Sequence, residues 1–293
     1  HAFDTLSITT TYATLSLAIV SAADTSTTGT LTMEASTSAQ FLASGMYTFQ
    51  DINLRGMAKK PITLRSSTPS TQFTFNVPGT QVKANYVDVK DSTACATTIT
   101  VSNGTNSGNN NCWTFQTVSS ISGRLFSDAG DSPIGTTKTL KLAMGTTTTR
   151  TYTTMTVGLG DWEFLLTDGY SFATATRLLV WVDGDATTHA SVFTKASGTA
   201  PILDLDLYQD RVILSHEAPS GTSTTISDLS FYDADDDSDL RYTANSGALV
   251  VSTGNELSVQ AGKTFAPGGA VTIHGNATTT VVDGSFSLGV GST

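Results

Sequence analysis

Between Leu6 and Val101, apolar residues two positions apart return at a nearly constant interval, and that recurrence narrows the folds open to the chain. Leu6/Ile8 is followed by Leu31/Met33, Ile52/Leu54, Phe75/Val77 and Ile99/Val101. From Ile8 through Leu31, Leu54 and Val77 to Val101 the steps are 23, 23, 23 and 24 residues. A second series, Ile19, Leu42, Leu64 and Val87, steps by 23, 22 and 23. Residues two apart lie on one face of a strand. Two interleaved series with one period predict a solenoid, each turn laying a short strand on the last and stacking its inward side chains.

The rest of the composition agrees with strands. Only 14% of the 293 residues are charged, and Thr, Ser, Gly and Ala fill the polar positions. Thr is β-branched and suits a pleated surface, and no stretch carries a 3.6-residue apolar stripe. An all-β chain long enough for two or three domains is expected. The net charge of −10 excludes a nucleic-acid partner, which requires clustered Lys and Arg to displace counterions. It suits a solvated exterior with affinity for divalent cations. No apolar run approaches a membrane span, and the sequence opens at His1, which reads as a processed or excised form.

The chain divides by pattern into three segments. Residues 1–118 carry the first repeat, punctuated by glycines and prolines where coils bend. Residues 119–215 break the period. TLKLAM, RTYTTMTV, GDWEFLL, ATRLLVWVD and ILDLDLY follow one another there at intervals typical of an antiparallel sandwich. Residues 216–293 return to the repeat: Leu249/Val251 recurs as Val271/Ile273 and Val259 as Val281, all at 22, and Phe265 as Leu288 at 23. Of the two cysteines, Cys112 follows the Asn/Gly-rich run Asn106–Asn111. A Cys95–Cys112 disulfide closing that connection is favoured over two separate buried thiols or a metal pair.

Two resemblances add to this reading. ITLRSSTPSTQFTFNVPGT, YVDVKDS and SGNNNCWTF, within residues 45–116, resemble right-handed parallel β-helix segments of large bacterial surface and secreted proteins. The resemblance implies that Asp88, Asp91 and Asn103 are turn and ladder residues. Gly160-Asp161-Trp162-Glu163-Phe164 resembles the Gly-x-Tyr/Trp-x-Phe strand of immunoglobulin-like, carboxypeptidase-regulatory-like modules, which serve as spacers in exported proteins. The expected fold is thus all-β, parallel β-helix segments with an inserted immunoglobulin-like sandwich. Some related pilus modules carry a Lys–Asn isopeptide link, and residues 119–215 contain no Asn to form one.

Reaction chemistry is sparse. His1, His189, His216 and His274 stand far apart, and no nucleophile, zinc or phosphate-loop motif occurs. Asp88 and Asp91 with Lys90 are the coil residues for a paired-carboxylate site, against the simpler reading of solvated turn residues. The densest cluster is Asp233, Asp235, Asp237 and Asp239, where alternate Asp residues resemble the start of a calcium loop. Ser238 stands where such a loop has Gly and Ala244 where it has Glu, so the alternatives are a looser calcium site and a solvated acidic loop. Asp183-Gly184-Asp185 and Asp204/Asp206 are weaker acidic stretches, and Asn103-Gly104-Thr105 and Asn276-Ala277-Thr278 are formal glycosylation sequons.

Strand pattern runs from Leu6 and Ile8 to Phe286 and Leu288, with no cap in the sequence at either end. Exposed coil ends seek partners, and a head-to-tail contact that does not close builds a filament. The expectation is therefore a secreted or cell-surface, non-enzymatic subunit that polymerises with itself. The alternatives are a secreted β-helix protein that binds or cleaves carbohydrate, such as surface glycans, and a spacer segment of a giant adhesin.

Overall fold

The computed structural model describes residues 6–8, 15–19, 25–80, 82–128, 132–145, 149–156, 158–217, 223–273, 279–280 and 285–286. Among the described residues, strands take up 51% and helix 2%. Two compact units follow one another, His1–Val118 and Ser119–Thr293.

The first unit consists of parallel strands in three ladders. One joins Leu6–Ile8, the second half of Thr25–Glu34, the second half of Met46–Arg55, Val82–Asn85, Ile99–Ser102 and Trp113–Gln116. Another joins Leu15–Ile19, Thr37–Phe41, Ile62–Ser66, Val87–Val89 and Thr105–Asn106. The third joins the first halves of the two ten-residue strands to Phe73–Asn76, Ser92–Thr93 and Asn110–Asn111. Inward residues alternate with outward ones: Leu31, Met33, Ile52, Leu54, Ile62, Leu64, Ile99 and Val101 are all buried in one cluster. The third ladder supplies aromatic bulk, with Phe41 stacked on Phe73 at 4.6 Å and edge-on to Tyr47 at 4.9 Å.

The ladders do not keep the fixed interval expected from the sequence. Along the first, Leu6 pairs with Leu31, Leu31 with Ile52, Ile52 with Val82, Asn85 with Ser102 and Ile99 with Trp113. Those steps are 25, 21, 30, 17 and 14 residues. Phe75 pairs with Tyr47 rather than standing over Ile52, Ile19 pairs with Phe41 rather than Leu42, and Leu64 with Val89 rather than Val87. The cause is that every ladder uses the same two-residue alternation. The connections between ladders also differ in length, so spacing alone does not assign a strand to its ladder. Gly56 marks one close passage: a Cβ there would lie 2.3 Å from the Tyr86 carbonyl oxygen.

In the second unit, one seven-stranded sheet runs Arg150–Met155, Thr139–Gly145, Arg177–Asp183, Ala190–Lys195, Arg211–Leu214, Glu256–Val259, Thr279–Thr280. The first four neighbours are antiparallel and the remainder parallel, so the sheet continues without a break across residue 215. Residues 119–215 and residues 216–293, expected as separate segments, therefore share a sheet. Its central strands are buried on both faces, which explains the unbroken apolar run of Arg177–Asp183. Leu178, Val180 and Val182 face a core with Ile121, Trp162 and Phe164, the last two on a strand antiparallel to Ser120–Phe126. Leu179 and Trp181 face the opposite core with Leu229, Leu240, Tyr242, Leu249 and Val251. Leu249 pairs with Val271 and Val251 with Ile273, at the spacing expected, whereas Phe265 pairs with Phe286 rather than Leu288. Among the described residues helix is confined to Ile226–Leu229, which opens on a capping box between Thr225 and Asp228.

Candidate acidic site

Carboxylate oxygens of Asp183, Asp237 and Asp239 lie within 4.8 Å of one another, the convergent metal-competent group found among the described residues. Asp183 ends the central strand Arg177–Asp183, and Asp237 and Asp239 come from the acidic loop that covers the neighbouring core. Gly184, with a positive φ of 67°, turns the chain so that its N–H donates to Asp239 Oδ2 at 2.7 Å. The Asp239 N–H in turn donates to Asp237 Oδ1 at 3.1 Å. Beneath the loop, Tyr232 packs on Trp181 at 5.3 Å. Burial raises the Tyr232 hydroxyl above its ordinary pKa, and the neighbouring Asp237 and Asp236 add to the shift.

Lys141 is the cation of this cluster. Its ammonium lies 2.6 Å from Asp183 Oδ1 and 3.1 Å from Asp237 Oδ2. Hydrogen bonding to Asp183 is the largest influence on Lys141 and holds its pKa well above the ordinary lysine value, with Asp237 contributing in the same direction. Three carboxylates against one ammonium leave the site with excess negative charge. Asp183, Asp237 and Asp239 offer the hard oxygen donors that a divalent cation takes. Lys141 already contacts two of the three, so a metal would have to displace it.

Of the four Asp residues expected as alternating ligands, the structure therefore brings together two. Asp233 is buried and its carboxylate accepts the N–H groups of Asp235 at 2.9 Å and Ala244 at 2.7 Å. Asp235 accepts from the Asn245 side chain at 2.5 Å. These two fix the loop rather than face the cluster: each short side chain satisfies local donors that the irregular backbone leaves over. The third member, Asp183, stands 54 positions before Asp237. Its sequence signal was the Asp183-Gly184-Asp185 stretch, which says nothing about its partner.

The other expected residues are placed as follows. Asp88 is bound by Arg65 at 2.5 Å and by the Ser107 hydroxyl at 2.5 Å, linking its strand to the neighbouring segment on either side. Asp91 is buried with φ 58° and accepts from the Asn109 side chain at 2.8 Å, while Lys90 is exposed. The two carboxylates thus hold separate partners and do not converge on one site. Cys95 and Cys112 form a disulfide. Asn103 donates to the Tyr86 hydroxyl at 3.1 Å and accepts from the Val118 N–H at 2.9 Å, so the first sequon's side chain is engaged. His189 lies 3.8 Å from Asp210, whereas buried His216 accepts from the Thr264 N–H at 3.1 Å. Leu6 and Ile8 pair with Leu31 and Met33, and Phe286 with Phe265; Leu288, His1, His274 and Asn276 lie outside the described residues. Among the described residues no helix is long and apolar enough to cross a membrane.

Comparison with family models, with curated proteins and with solved structures finds no match for this chain.

Proposed function

We propose that this protein is a structural, non-enzymatic component of an extracellular or cell-surface filament, built from parallel β-helix coils around an immunoglobulin-like layer and growing by end-to-end strand addition. One observation carries the reading. Among the described residues, Leu6–Ile8 pairs on one side only, with Thr25–Glu34, and Leu15–Ile19 only with Thr37–Phe41. In the second unit Ala270–Ile273, Thr279–Thr280 and Ser285–Phe286 likewise pair on one side only among the described residues. Both sets belong to parallel ladders of similar gauge, stepping by 25 and 22 residues at the first end and by 22, 22 and 21 at the second. Unpaired parallel edges of matching step are suited to stacking one coil on another, with main-chain hydrogen bonds supplying affinity. A contact of that kind is heterologous and extends without closing.

The side-chain chemistry supports a scaffold over an enzyme. Asp88 and Asp91 are engaged with separate partners, and Lys141 already supplies positive charge to the acidic cluster. A disulfide fits an oxidising, exported setting. A bound calcium ion would be an accessory at Asp183, Asp237 and Asp239, and glycans would be partners of the finished fibre. Negative-stain microscopy of the purified protein over a concentration series tests the reading. Unbranched fibres whose axial repeat matches one subunit are expected, and isolated particles at every concentration would overturn it.

A further inference from the structure

Among the described residues, Arg150–Met155 lies at the edge of the seven-stranded sheet and pairs only with Thr139–Gly145. Natural sheets usually blunt such an edge with lysines, a proline, a bulge or a covering segment. This strand reads Arg-Thr-Tyr-Thr-Thr-Met, pairs in unbroken register from Arg150 to Met155, and carries one charge, at its first position. Thr151, Thr153 and Met155 are exposed, Met155 at 56%. The direction of its main-chain groups follows from one bond at the strand's end. The Thr156 N–H donates inward to the Lys138 carbonyl at 2.9 Å. Hydrogen-bonded positions alternate along an antiparallel pair, so Tyr152 and Thr154 also bond inward. Thr151, Thr153 and Met155 then turn their N–H and C=O groups outward, where no described strand pairs with them.

We propose that this edge pairs antiparallel with the same strand of a second copy, about a two-fold axis at Thr153. The sequence is complementary to itself in that register. Thr153 faces Thr153, Thr151 faces Met155, Tyr152 faces Thr154 and Arg150 faces Thr156, so no charge meets a like charge. Thr151, Thr153 and Met155 of both copies form about six main-chain hydrogen bonds, and their side chains make one continuous Thr/Met row. The contact is isologous and closes as a dimer, so it joins subunits laterally and does not extend them. It uses none of the strands assigned to end-to-end growth, and the two readings fail independently.

Cross-linking tests it directly. The native cysteines are bonded to each other and no other cysteine is free, so Thr153→Cys introduces a single reactive thiol. Opposed Cα atoms at a hydrogen-bonded antiparallel pair lie about 5.5 Å apart, within disulfide range. Mild oxidation is expected to give a covalent dimer at least tenfold faster than with Thr154→Cys, whose side chain lies on the opposite face of the strand. Thr153→Lys sets two ammonium groups face to face and is expected to weaken lateral association at least tenfold in sedimentation of the otherwise native chain. Cross-linking of Thr153→Cys no faster than Thr154→Cys would overturn the proposal, as would lateral association that Thr153→Lys leaves unchanged. Fibres that form without this cross-link sink lateral pairing alone; a cross-linked dimer that never lengthens into fibres sinks end-to-end growth alone.

Discussion

Lys141 and Asp183 meet at 2.6 Å on neighbouring strands, and this pair decides how the acidic cluster behaves. The ammonium stands where a divalent cation would otherwise balance Asp183, Asp237 and Asp239. Chelator is therefore expected to leave the melting temperature within about 1 °C, because Lys141 already offsets the repulsion. Lys141→Met removes that charge and keeps most of the stem. It is expected to cost about 1–3 kcal/mol without metal, as partly buried carboxylates lose their partner, and to recover stability in millimolar calcium. Calorimetry of both proteins with and without calcium checks this. A chelator-induced drop in the unsubstituted protein would assign the site to a bound cation instead.

The aromatic cluster of the first unit gives a second test. Phe73 is fully buried between Phe41, Tyr47 and Phe75, with centroids at 4.6, 6.4 and 6.2 Å. Interior packing of this density relaxes little around a missing ring. Phe73→Ala is expected to destabilise the unit by about 3–5 kcal/mol. The outward neighbour on the same strand, Thr74, provides the contrast, and Thr74→Ala should cost under about 1 kcal/mol. Urea titrations of the two variants separate these values.

How much of this was legible beforehand depended on the range of the signal. The period-2 alternation that put Leu31, Met33, Ile52 and Leu54 inside is local, so their burial was readable from spacing, whereas the 23-residue count set Leu31 against Leu54 and the strands pair Leu31 with Ile52. The place of Phe75 was not. It depends on the six residues from Ser67 to Gln72 that join one ladder to the next, and alternation is silent about which ladder a strand enters. In the second unit the apolar run Leu178–Val182 announced burial but not the two separate cores on its faces. The acidic site was half visible for the same reason. Asp237 and Asp239 stand together in sequence, whereas Asp183 and Lys141 reach them only because their strands are sheet neighbours.

The disulfide offers a third prediction, since it closes a segment with exposed polar strands. Thr105–Asn106 is exposed, Asn110–Asn111 nearly so, and the segment is tied down by polar bonds such as Asn110 to the Val89 carbonyl at 2.7 Å. Trp113 is its buried anchor, donating to Ser92 Oγ at 3.1 Å. Cys95 and Cys112 close a separation of 17 residues, for which loop closure contributes about 3 kcal/mol. Reduction, or the Cys95→Ser/Cys112→Ser pair, is expected to lower stability by roughly 2–4 kcal/mol. Tryptophan emission should shift to longer wavelength as Trp113 meets water, while Phe73 and its neighbours keep their near-ultraviolet dichroism. Loss of both signals together would show that the segment does not open separately.

Lys138 and Asp185 set the expected response to acid. Their charged atoms lie 2.5 Å apart, and Asp185 also accepts the N–H groups of Thr187 at 3.0 Å and Thr188 at 2.7 Å. The Lys138 hydrogen bond, followed by those backbone donors, holds the Asp185 carboxyl well below its ordinary value of 3.8. A depressed folded-state pKa means that the unfolded chain takes up the proton first. The stabilisation is thus complete above about pH 5 and is lost as pH falls through 3.8 toward the folded value. Asp185→Asn removes the charge at every pH. It should therefore cost about 1–2 kcal/mol at pH 7 and progressively less below pH 4, so that the stability curves of the two proteins converge in acid. Urea midpoints measured from pH 2 to pH 7 test this; a constant gap between the curves would place the stabilising contribution of Asp185 in neutral hydrogen bonds rather than in its charge.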